Sequence, residues 1–146
     1  RSRFSVTDQM SASVESGPHA IARRMFADDV ASRRLGIELL ELGDGCATTR
    51  MTVSADMVNG HAITHGGFVF ALADTTFALA CNSHDESAVA ARCDIRYLQP
   101  TREGDVLVAR ATELRRFGRN GIYDVSVSCG DTVVAEFRGD SRVVRM

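Results

Sequence analysis

One carboxylate lies inside the most apolar stretch of this chain. Asp74 interrupts the run from Phe68 to Cys81, which is rich in Ala and Leu and long for a strand, so we predict a helix there. Apolar residues fall on nearly every side of that helix, which predicts that it is buried. A buried carboxylate without partners is costly. Two interpretations therefore stay open: an acid that Thr75, Thr76 or an arginine satisfies, or a carboxylate kept for catalysis.

The same helix opens on a pair of glycines, in the sequence His65-Gly66-Gly67. The first turn of a helix carries unpaired N–H groups and the positive end of the helix dipole. Glycine lets a ligand come close to the backbone. This combination predicts a site for an anion or for the oxyanion of a carbonyl group under attack. The alternative is a glycine pair needed for a tight turn into the helix.

The spacing of these two features restricts how they could act together. Gly66 and Asp74 are eight residues apart, which is about 12 Å along a helix axis. A carbonyl group bonded to the Gly66 N–H cannot also lie within ~3 Å of the Asp74 carboxylate of the same helix. If both act at one site, a second copy must supply Asp74 from an antiparallel helix. The spacing thus predicts a symmetric dimer with two composite sites.

The rest of the chain supplies elements that can surround this helix. An amphipathic helix is predicted from Gly17-Pro18 to about Arg34. Alternating apolar and polar residues predict antiparallel strands at about 36–42, 45–53, 87–97, 105–117, 121–129 and 132–144. Gly43-Asp44-Gly45 predicts a tight hairpin between the first two strands. We therefore expect an α+β domain in which five to six antiparallel strands form a curved sheet wrapped round a long central helix.

Length and composition exclude several classes of protein. The 146 residues suit one domain, placed at 17–146, after a polar and Ser-rich segment 1–16 that we expect to be mobile. The net charge of −2 argues against a nucleic-acid or membrane-surface binder, and no apolar run has the length of a membrane span. All 17 basic residues are arginine, so lysine chemistry is excluded.

The thiols and imidazoles do not suggest a metal site. The four cysteines form no CxxC pair; they are Cys46, Cys81, Cys93 and Cys129. Zinc sites need closely spaced ligands. His61 and His65 are closely spaced, but no third ligand is evident beside them. Unpaired cysteines favour a reducing compartment. We predict structural cysteines, no metal and a cytoplasmic location.

Several short motifs occur in the order typical of one known family. They are Asn59-Gly60-His61, His65-Gly66-Gly67, Leu72-Ala73-Asp74, Ala80-Cys81-Asn82-Ser83, Tyr97-Leu98-Gln99-Pro100 and Gly121-Ile122-Tyr123-Asp124. Asn59 stands six residues before His65, and Asp74 nine after it. Over about residues 19–142, this series resembles the hotdog-fold acyl-CoA thioesterases, in particular the PaaI branch of phenylacetate degradation. The resemblance implies the hotdog fold.

The resemblance also implies a role for each matching residue. The Gly66 N–H polarises the thioester carbonyl, and Asp74 of the neighbouring chain activates water or attacks as a nucleophile. Asn59 orients the water or the leaving thiolate, and His65 shapes the oxyanion site. The implied substrates are aryl-acyl-CoA thioesters such as hydroxyphenylacetyl-CoA. The implied assembly is a tetramer of two dimers, with no cofactor.

Further residues are candidate contacts for the substrate. The phosphates of CoA need cations, and the densest basic group is Arg115, Arg116 and Arg119; the alternative is a solvated strand end. Polar or backbone contacts are expected from Gly67, Thr75 and Ser83. Two other functions stay open: a hotdog dehydratase or hydratase that uses His65 and Asp74, and a non-catalytic module that binds acyl-CoA.

Overall fold

The computed structural model describes residues 17–145, and the segment 1–16 predicted to be mobile lies outside the described residues. In chain order, the elements are α1 (Ala20–Ala27), α2 (Val30–Arg34), β1 (Glu38–Gly43), β2 (Cys46–Thr52), a 3-10 turn (Ala55–Met57), α3 (Gly66–Cys81), β3 (Ala88–Tyr97), β4 (Val106–Phe117), β5 (Asn120–Cys129) and β6 (Thr132–Val143). The strands form one antiparallel sheet in the order β1-β2-β4-β5-β6-β3. Helix α3 contacts all six strands, which confirms the predicted architecture.

The sheet packs one face on α3 because its strands alternate in polarity. On β5, Tyr123 and Val127 are buried, whereas Asp124 between them is half-buried. The ring of Phe77 on α3 lies 5.6 Å from the ring of Tyr123 and 5.7 Å from that of Phe137, measured between centroids. This aromatic contact fixes the rotation of α3 about its axis and decides which of its residues face away from the sheet.

One stripe of α3 is left partly open by its own chain. Within the described residues, Leu72, Ala73 and Phe77 are fully buried. The positions that keep some exposure recur every three or four residues; they include Gly67, Phe70, Ala71, Asp74 and Ala78. The prediction of a helix buried on nearly every side is wrong for this stripe, because apolar residues also occupy the face that the sheet does not cover.

The N-terminal segment contains two short helices instead of the single helix predicted to end near Arg34. Asp29 adopts extended backbone, and its carboxylate accepts hydrogen bonds from the Ser32 N–H at 2.9 Å and the Ser32 hydroxyl at 2.6 Å. Aspartate is a favoured residue for this capping role. The cap starts α2 afresh, so the predicted continuous helix is wrong at this point.

The same serine ties the N-terminal segment to the central helix. Ser32 is buried, and its hydroxyl oxygen lies 2.8 Å from that of Thr75 on α3. Because Ser32 donates its own proton to Asp29, Thr75 is the donor in this second bond. A chain of hydrogen bonds thus holds the Asp29 carboxylate beside the middle of α3.

Among the described residues, bulges interrupt four of the five strand pairings, including those of both edge strands, β1 and β3. The predicted β1–β2 hairpin is confirmed, with Gly43 opposite Cys46. On the edge strand β3, a bulge between Ala90 and Arg92 shifts the register with β6. A bulge reverses the facing of the residues on one side of it. In the period-two pattern of this strand, Val89 shares a face with the later apolar residues Cys93 and Ile95, but beyond the bulge it is 46% exposed.

No helix in the described part of the chain is long and apolar enough to cross a membrane. The longest, α3, has 16 residues, and its open stripe carries Asp74.

Candidate active site

The start of α3 presents one backbone donor to its surroundings. The Gly67 N–H donates to the Nδ1 atom of His65 at 3.2 Å, and the Phe68 N–H donates to the His65 carbonyl at 3.0 Å. The Gly66 N–H has no acceptor within residues 17–145. Because it lies at the positive end of the helix, this N–H is available to an oxygen atom that gains negative charge.

His65 organises this first turn as the residue that caps the helix. Its backbone is extended, and its N–H donates to the Met57 carbonyl at 2.7 Å. Its Nδ1 atom accepts the bond from Gly67, so the neutral ring carries its proton on Nε2. The predicted role of His65 in shaping the oxyanion site is consistent with this position, since the imidazole holds the turn that exposes the Gly66 N–H.

Asn59 closes the loop that leads into the helix. Its Oδ1 atom accepts from the His61 N–H at 2.9 Å and from the Ile63 N–H at 3.4 Å, and its own N–H donates to the Ile63 carbonyl at 2.8 Å. The carboxamide oxygen is therefore engaged within the loop. The amide NH2 is what Asn59 can still offer, so toward a ligand this side chain acts as a donor.

Asn59 and Gly66 share a pocket of about 450 Å³. Its other walls are mainly apolar and come from the loop, from α3, from the segment after β3 and from β6; they include Ile63, Val69, Leu98, Pro100 and Val134. This volume lies in the range of small-molecule sites. The pocket joins two hydrogen-bond donors to a surface suited to an apolar group.

Tyr97 lines the same pocket, although its spacing in the sequence is equally typical of an acyl-pocket aromatic and of a core residue. Its hydroxyl donates to the Gly66 carbonyl at 2.9 Å. A Cβ atom on Gly66 would lie 3.0 Å from the Tyr97 ring, so a close approach by the protein itself also requires glycine here. The period-two pattern places Tyr97 on the inner face of β3, but it does not show that β3 ends against the start of α3.

Asp74 lies half-buried on the open stripe of α3. Burial raises the pKa of its carboxyl above the ordinary value near 3.8, and the nearby Asp29 carboxylate raises that pKa further. The Thr76 hydroxyl lies 2.7 Å from that of Thr49 and donates to the Leu72 carbonyl. Since Thr75 bonds to Ser32, the interpretation in which these two threonines satisfy Asp74 is wrong.

Arginine does not satisfy Asp74 either, because Asp74 takes part in none of the ion pairs among the described residues.

The thiols of Cys81 and Cys93 lie near enough for the Asp74 charge to affect them. Burial, with a smaller effect of that charge, raises their pKa values to about 12 and about 11. These thiols therefore stay neutral at physiological pH, and Asp29 is the charged neighbour of Asp74 in this part of the chain.

Three residues predicted to contact the substrate already form hydrogen bonds within the protein. The Gly67 N–H is bonded to His65, and the Thr75 hydroxyl to Ser32. Ser83 is 1% exposed, and its hydroxyl accepts from the Gly45 N–H and donates to the Ala80 carbonyl, both at 2.7 Å. Their contact with substrate stays a prediction, while their observed bonds hold the ends and middle of α3 in place.

The three candidate arginines do not form one cluster. Arg116 and Arg119 line a concave surface beside Cys81, at the end of α3 that is remote from Gly66. Arg116 also lies 3.8 Å from Glu86 and from Glu113. Arg115 precedes Arg116 on β4 and is not among the residues of that surface, because successive strand residues point to opposite faces.

The structure supports the distance between Gly66 and Asp74 that the sequence predicts. Helix α3 is continuous from Gly66 to Cys81, so the open N–H and the Asp74 carboxylate are about 12 Å apart along its axis. One end of the helix offers a donor for an oxyanion, and its middle offers a base of raised pKa. These are the two groups that hydrolysis of an activated carbonyl compound requires.

The comparisons with known proteins agree with this chemistry. The family model described as thioesterase superfamily matches residues 61–136. The acyl-coenzyme A thioesterase PaaI of Escherichia coli (strain K12) is 43% identical over 121 residues, which cover 82% of this chain and 86% of that protein.

Two solved structures of PaaI proteins are also similar to this chain. The structure of the E. coli PaaI protein from the phenylacetic acid degradation operon superposes with a TM-score of 0.84 at 40% identity, over 86% of this chain and 91% of that one. A mutant of the phenylacetic acid degradation protein PaaI from Thermus thermophilus gives 0.78 at 37% identity, over 80% and 100%. These matches confirm the resemblance read from the motifs. The chain belongs to the thioesterase superfamily, as an acyl-CoA thioesterase of the PaaI type with the hotdog fold.

Proposed function

We propose that this enzyme hydrolyses aryl-acyl-CoA thioesters, such as hydroxyphenylacetyl-CoA, to the free acid and CoA at a site shared by two subunits. The observation that carries the proposal is the open Gly66 N–H, which shares an apolar pocket with the Asn59 amide. The membership of the family favours hydrolysis over the dehydratase and the non-catalytic binder. The E. coli relative comes from a phenylacetic acid degradation operon, which supports an aryl substrate.

The proposed chemistry places the thioester carbonyl oxygen on the Gly66 N–H. Asp74 of the partner subunit then takes a proton from the attacking water, or attacks the carbonyl carbon itself to give an anhydride that water cleaves. Collapse of the tetrahedral intermediate breaks the carbon–sulfur bond and releases the CoA thiolate. The amide NH2 of Asn59, whose oxygen is engaged in the loop, donates to the water or to the departing sulfur. A thioester carbonyl is electrophilic, so these groups suffice without a cofactor.

Two features of α3 support a partner that supplies Asp74. The open stripe around Asp74 is otherwise apolar, and such a surface favours packing against another helix. The Cys93 thiol of β3 lies near enough for the Asp74 charge to affect it. Strand β3 is an edge of the sheet, and its outer side pairs with no other strand of the described residues. An edge strand can pair with its own copy. Such a pairing of two β3 strands would place the two α3 helices side by side and antiparallel. We infer further that two of these dimers form a tetramer.

The same antiparallel arrangement gives Arg116 and Arg119 a role. With Asp74 of the partner subunit level with Gly66, the end of the partner's α3 lies about 10 Å beyond Gly66 along the axis. The partner's concave surface with these two arginines would then lie along the path of an extended CoA molecule. Arginine is well suited to bind phosphate. Arg115 is not among the residues of that surface, so its proposed contact with CoA would lie apart from those of Arg116 and Arg119.

We also infer a cytoplasmic location. The four cysteines are all free thiols, which a reducing compartment maintains, and CoA thioesters are substrates of that compartment.

Asp74→Asn tests the proposed carboxylate chemistry. Turnover should fall by about 10²-fold or more, since an amide neither accepts the proton nor attacks. Thiol release from an aryl-acyl-CoA measures this, with Asp131→Asn in an exposed turn as the control. Near-normal turnover in Asp74→Asn would refute the assignment.

The same variant should be more heat-stable than the wild type at pH 7. The pKa of Asp74 is higher in the folded protein than its ordinary value near 3.8. Ionisation of this carboxyl therefore destabilises the folded state when the pH is above that ordinary value. The difference in Tm should vanish at more acidic pH, where the carboxyl is neutral in both states. A lower Tm in Asp74→Asn at pH 7 would contradict this account of its burial.

Asp29→Asn should move the acidic limb of the profile of kcat/KM against pH to lower pH. Asparagine still caps α2, but it removes the negative charge that raises the pKa of Asp74, so Asp74 stays ionised in more acidic solution. Asp28→Asn is the matched control, because Asp28 is adjacent and exposed and its side chain caps neither helix. An unmoved limb in Asp29→Asn, or an equal shift in the control, would count against the coupling.

The double variant Arg116→Gln with Arg119→Gln should raise KM for an acyl-CoA about tenfold with little change in kcat, through loss of contacts to phosphate. Acyl-pantetheine has the same acyl group but lacks the nucleotide. For this substrate the KM of the double variant should equal that of the wild type. Arg110→Gln, on the exposed face of β4, is the control. An unchanged KM for the acyl-CoA in the double variant would dismiss this binding site.

A further inference from the structure

The first turn of α3 contains two consecutive glycines, which makes it the weakest part of that helix. Glycine has a low helix propensity, and helix ends fray readily. Yet the Gly66 N–H can act as an oxyanion donor only when its direction is fixed before the reaction. Other parts of the protein must therefore hold this turn.

Two of the bonds that hold the turn are local, and one comes from the sheet. His65 supplies the local bonds, with its ring to the Gly67 N–H and its carbonyl to the Phe68 N–H. The Tyr97 hydroxyl, at the end of β3, donates to the Gly66 carbonyl at 2.9 Å. Among the described residues, this is the side-chain bond that connects Gly66 to the sheet. Tyr97 is 53% exposed, and the partial burial of its hydroxyl raises its pKa above the ordinary value, so the hydroxyl keeps its proton at physiological pH.

The ring of Tyr97 is also a wall of the pocket. It lies so close to Gly66 that a Cβ atom there would be 3.0 Å away. The pocket walls near it are aliphatic, from Val69, Leu98 and Val134, so this ring is the aromatic surface next to the open N–H. A flat acyl group bound to that N–H by its carbonyl can pack on the ring, and aromatic pairs gain more than their buried area alone provides.

We propose that Tyr97 positions the oxyanion donor through its hydroxyl and selects aryl over alkyl acyl groups through its ring. This inference rests on the proposed function and adds to it the residue that decides acyl preference. The two parts of the side chain have different consequences. The hydroxyl affects the rate of the chemical step, since it acts on the residue that stabilises the transition state, whereas the ring affects the choice between substrates.

Two variants separate these effects, each assayed by thiol release with phenylacetyl-CoA and hexanoyl-CoA. Tyr97→Phe keeps the ring and removes the donor; kcat should fall about tenfold for both substrates, the equivalent of one hydrogen bond, with KM and Tm nearly unchanged. Tyr97→Leu removes both; the ratio of kcat/KM for phenylacetyl-CoA to that for hexanoyl-CoA should fall about tenfold below the ratio in Tyr97→Phe. Tyr123→Phe, which removes a buried hydroxyl bonded to Glu113, is the control for loss of a phenol group and should lower Tm without lowering kcat.

Each outcome decides one part of the proposal. Wild-type kcat in Tyr97→Phe, or a rise in KM alone, would overturn the positioning role. An unchanged substrate ratio in Tyr97→Leu would overturn the selective role. In both cases thiol release by the wild-type enzyme would leave the proposed function intact. If the wild-type enzyme released thiol from hexanoyl-CoA but not from phenylacetyl-CoA, the proposed aryl specificity would fail and the selective role with it.

Discussion

The distance between Gly66 and Asp74 is set by a rigid helix, and most of the functional account depends on that constraint. Helix α3 is continuous between them, and its rotation is fixed by the contacts of Phe77 with the rings of the sheet. Neither a side-chain rotation nor a loop movement can close about 12 Å of helix. The donor and the carboxylate of one chain therefore cannot reach the same substrate, and the proposed shared site needs two copies that exchange these groups.

Two features that reduce stability lie where the proposed chemistry would use them. A glycine pair weakens the start of α3, and bonds from His65 and Tyr97 offset that weakness. Asp74 occupies the open stripe without an ion-pair partner among the described residues, and burial together with Asp29 raises its pKa. Both features reduce stability locally, but a free N–H and a carboxylate of raised pKa are what the proposed reaction needs.

The N-terminal helices participate in this site at a distance. The cap at Asp29, the buried Ser32 and the Thr75 hydroxyl form one chain of hydrogen bonds that ends beside Asp74. This arrangement fixes the position of the Asp29 charge, so the same bonds that hold α2 on α3 also contribute to the electrostatics of the carboxylate.

Sequence patterns predicted the features that depend on local spacing. The strands, the β1–β2 hairpin, the long helix and the separation of Gly66 from Asp74 all follow from periodicity and turn residues, and the motif series identified the family. The patterns failed where contacts between distant segments decide the outcome. The break at Asp29 depends on a cap, the exposure of Val89 on a bulge, and the bonds of Thr75 and Ser83 on neighbours 43 and 38 residues away. For Tyr97 the sequence left open a place in the acyl pocket or in the core, because its contact with Gly66 exists only where β3 meets α3.

Mixed dimers test the shared site most directly. Asp74→Asn removes the carboxylate, and Gly66→Pro removes the N–H at the first position of a helix, which proline can occupy after an extended residue. A Cβ atom at this position would lie 3.0 Å from the Tyr97 ring, so Gly66→Pro also displaces Tyr97 and inactivates the whole Gly66 half of the site. Each variant alone should be nearly inactive. When the two are co-expressed, half of the dimers should combine them and contain one intact site, so thiol release should recover to about a quarter of the wild-type value. If activity stayed at the level of the single variants although mixed dimers had formed, the two groups would not serve one site across the interface, and the central claim would be contradicted.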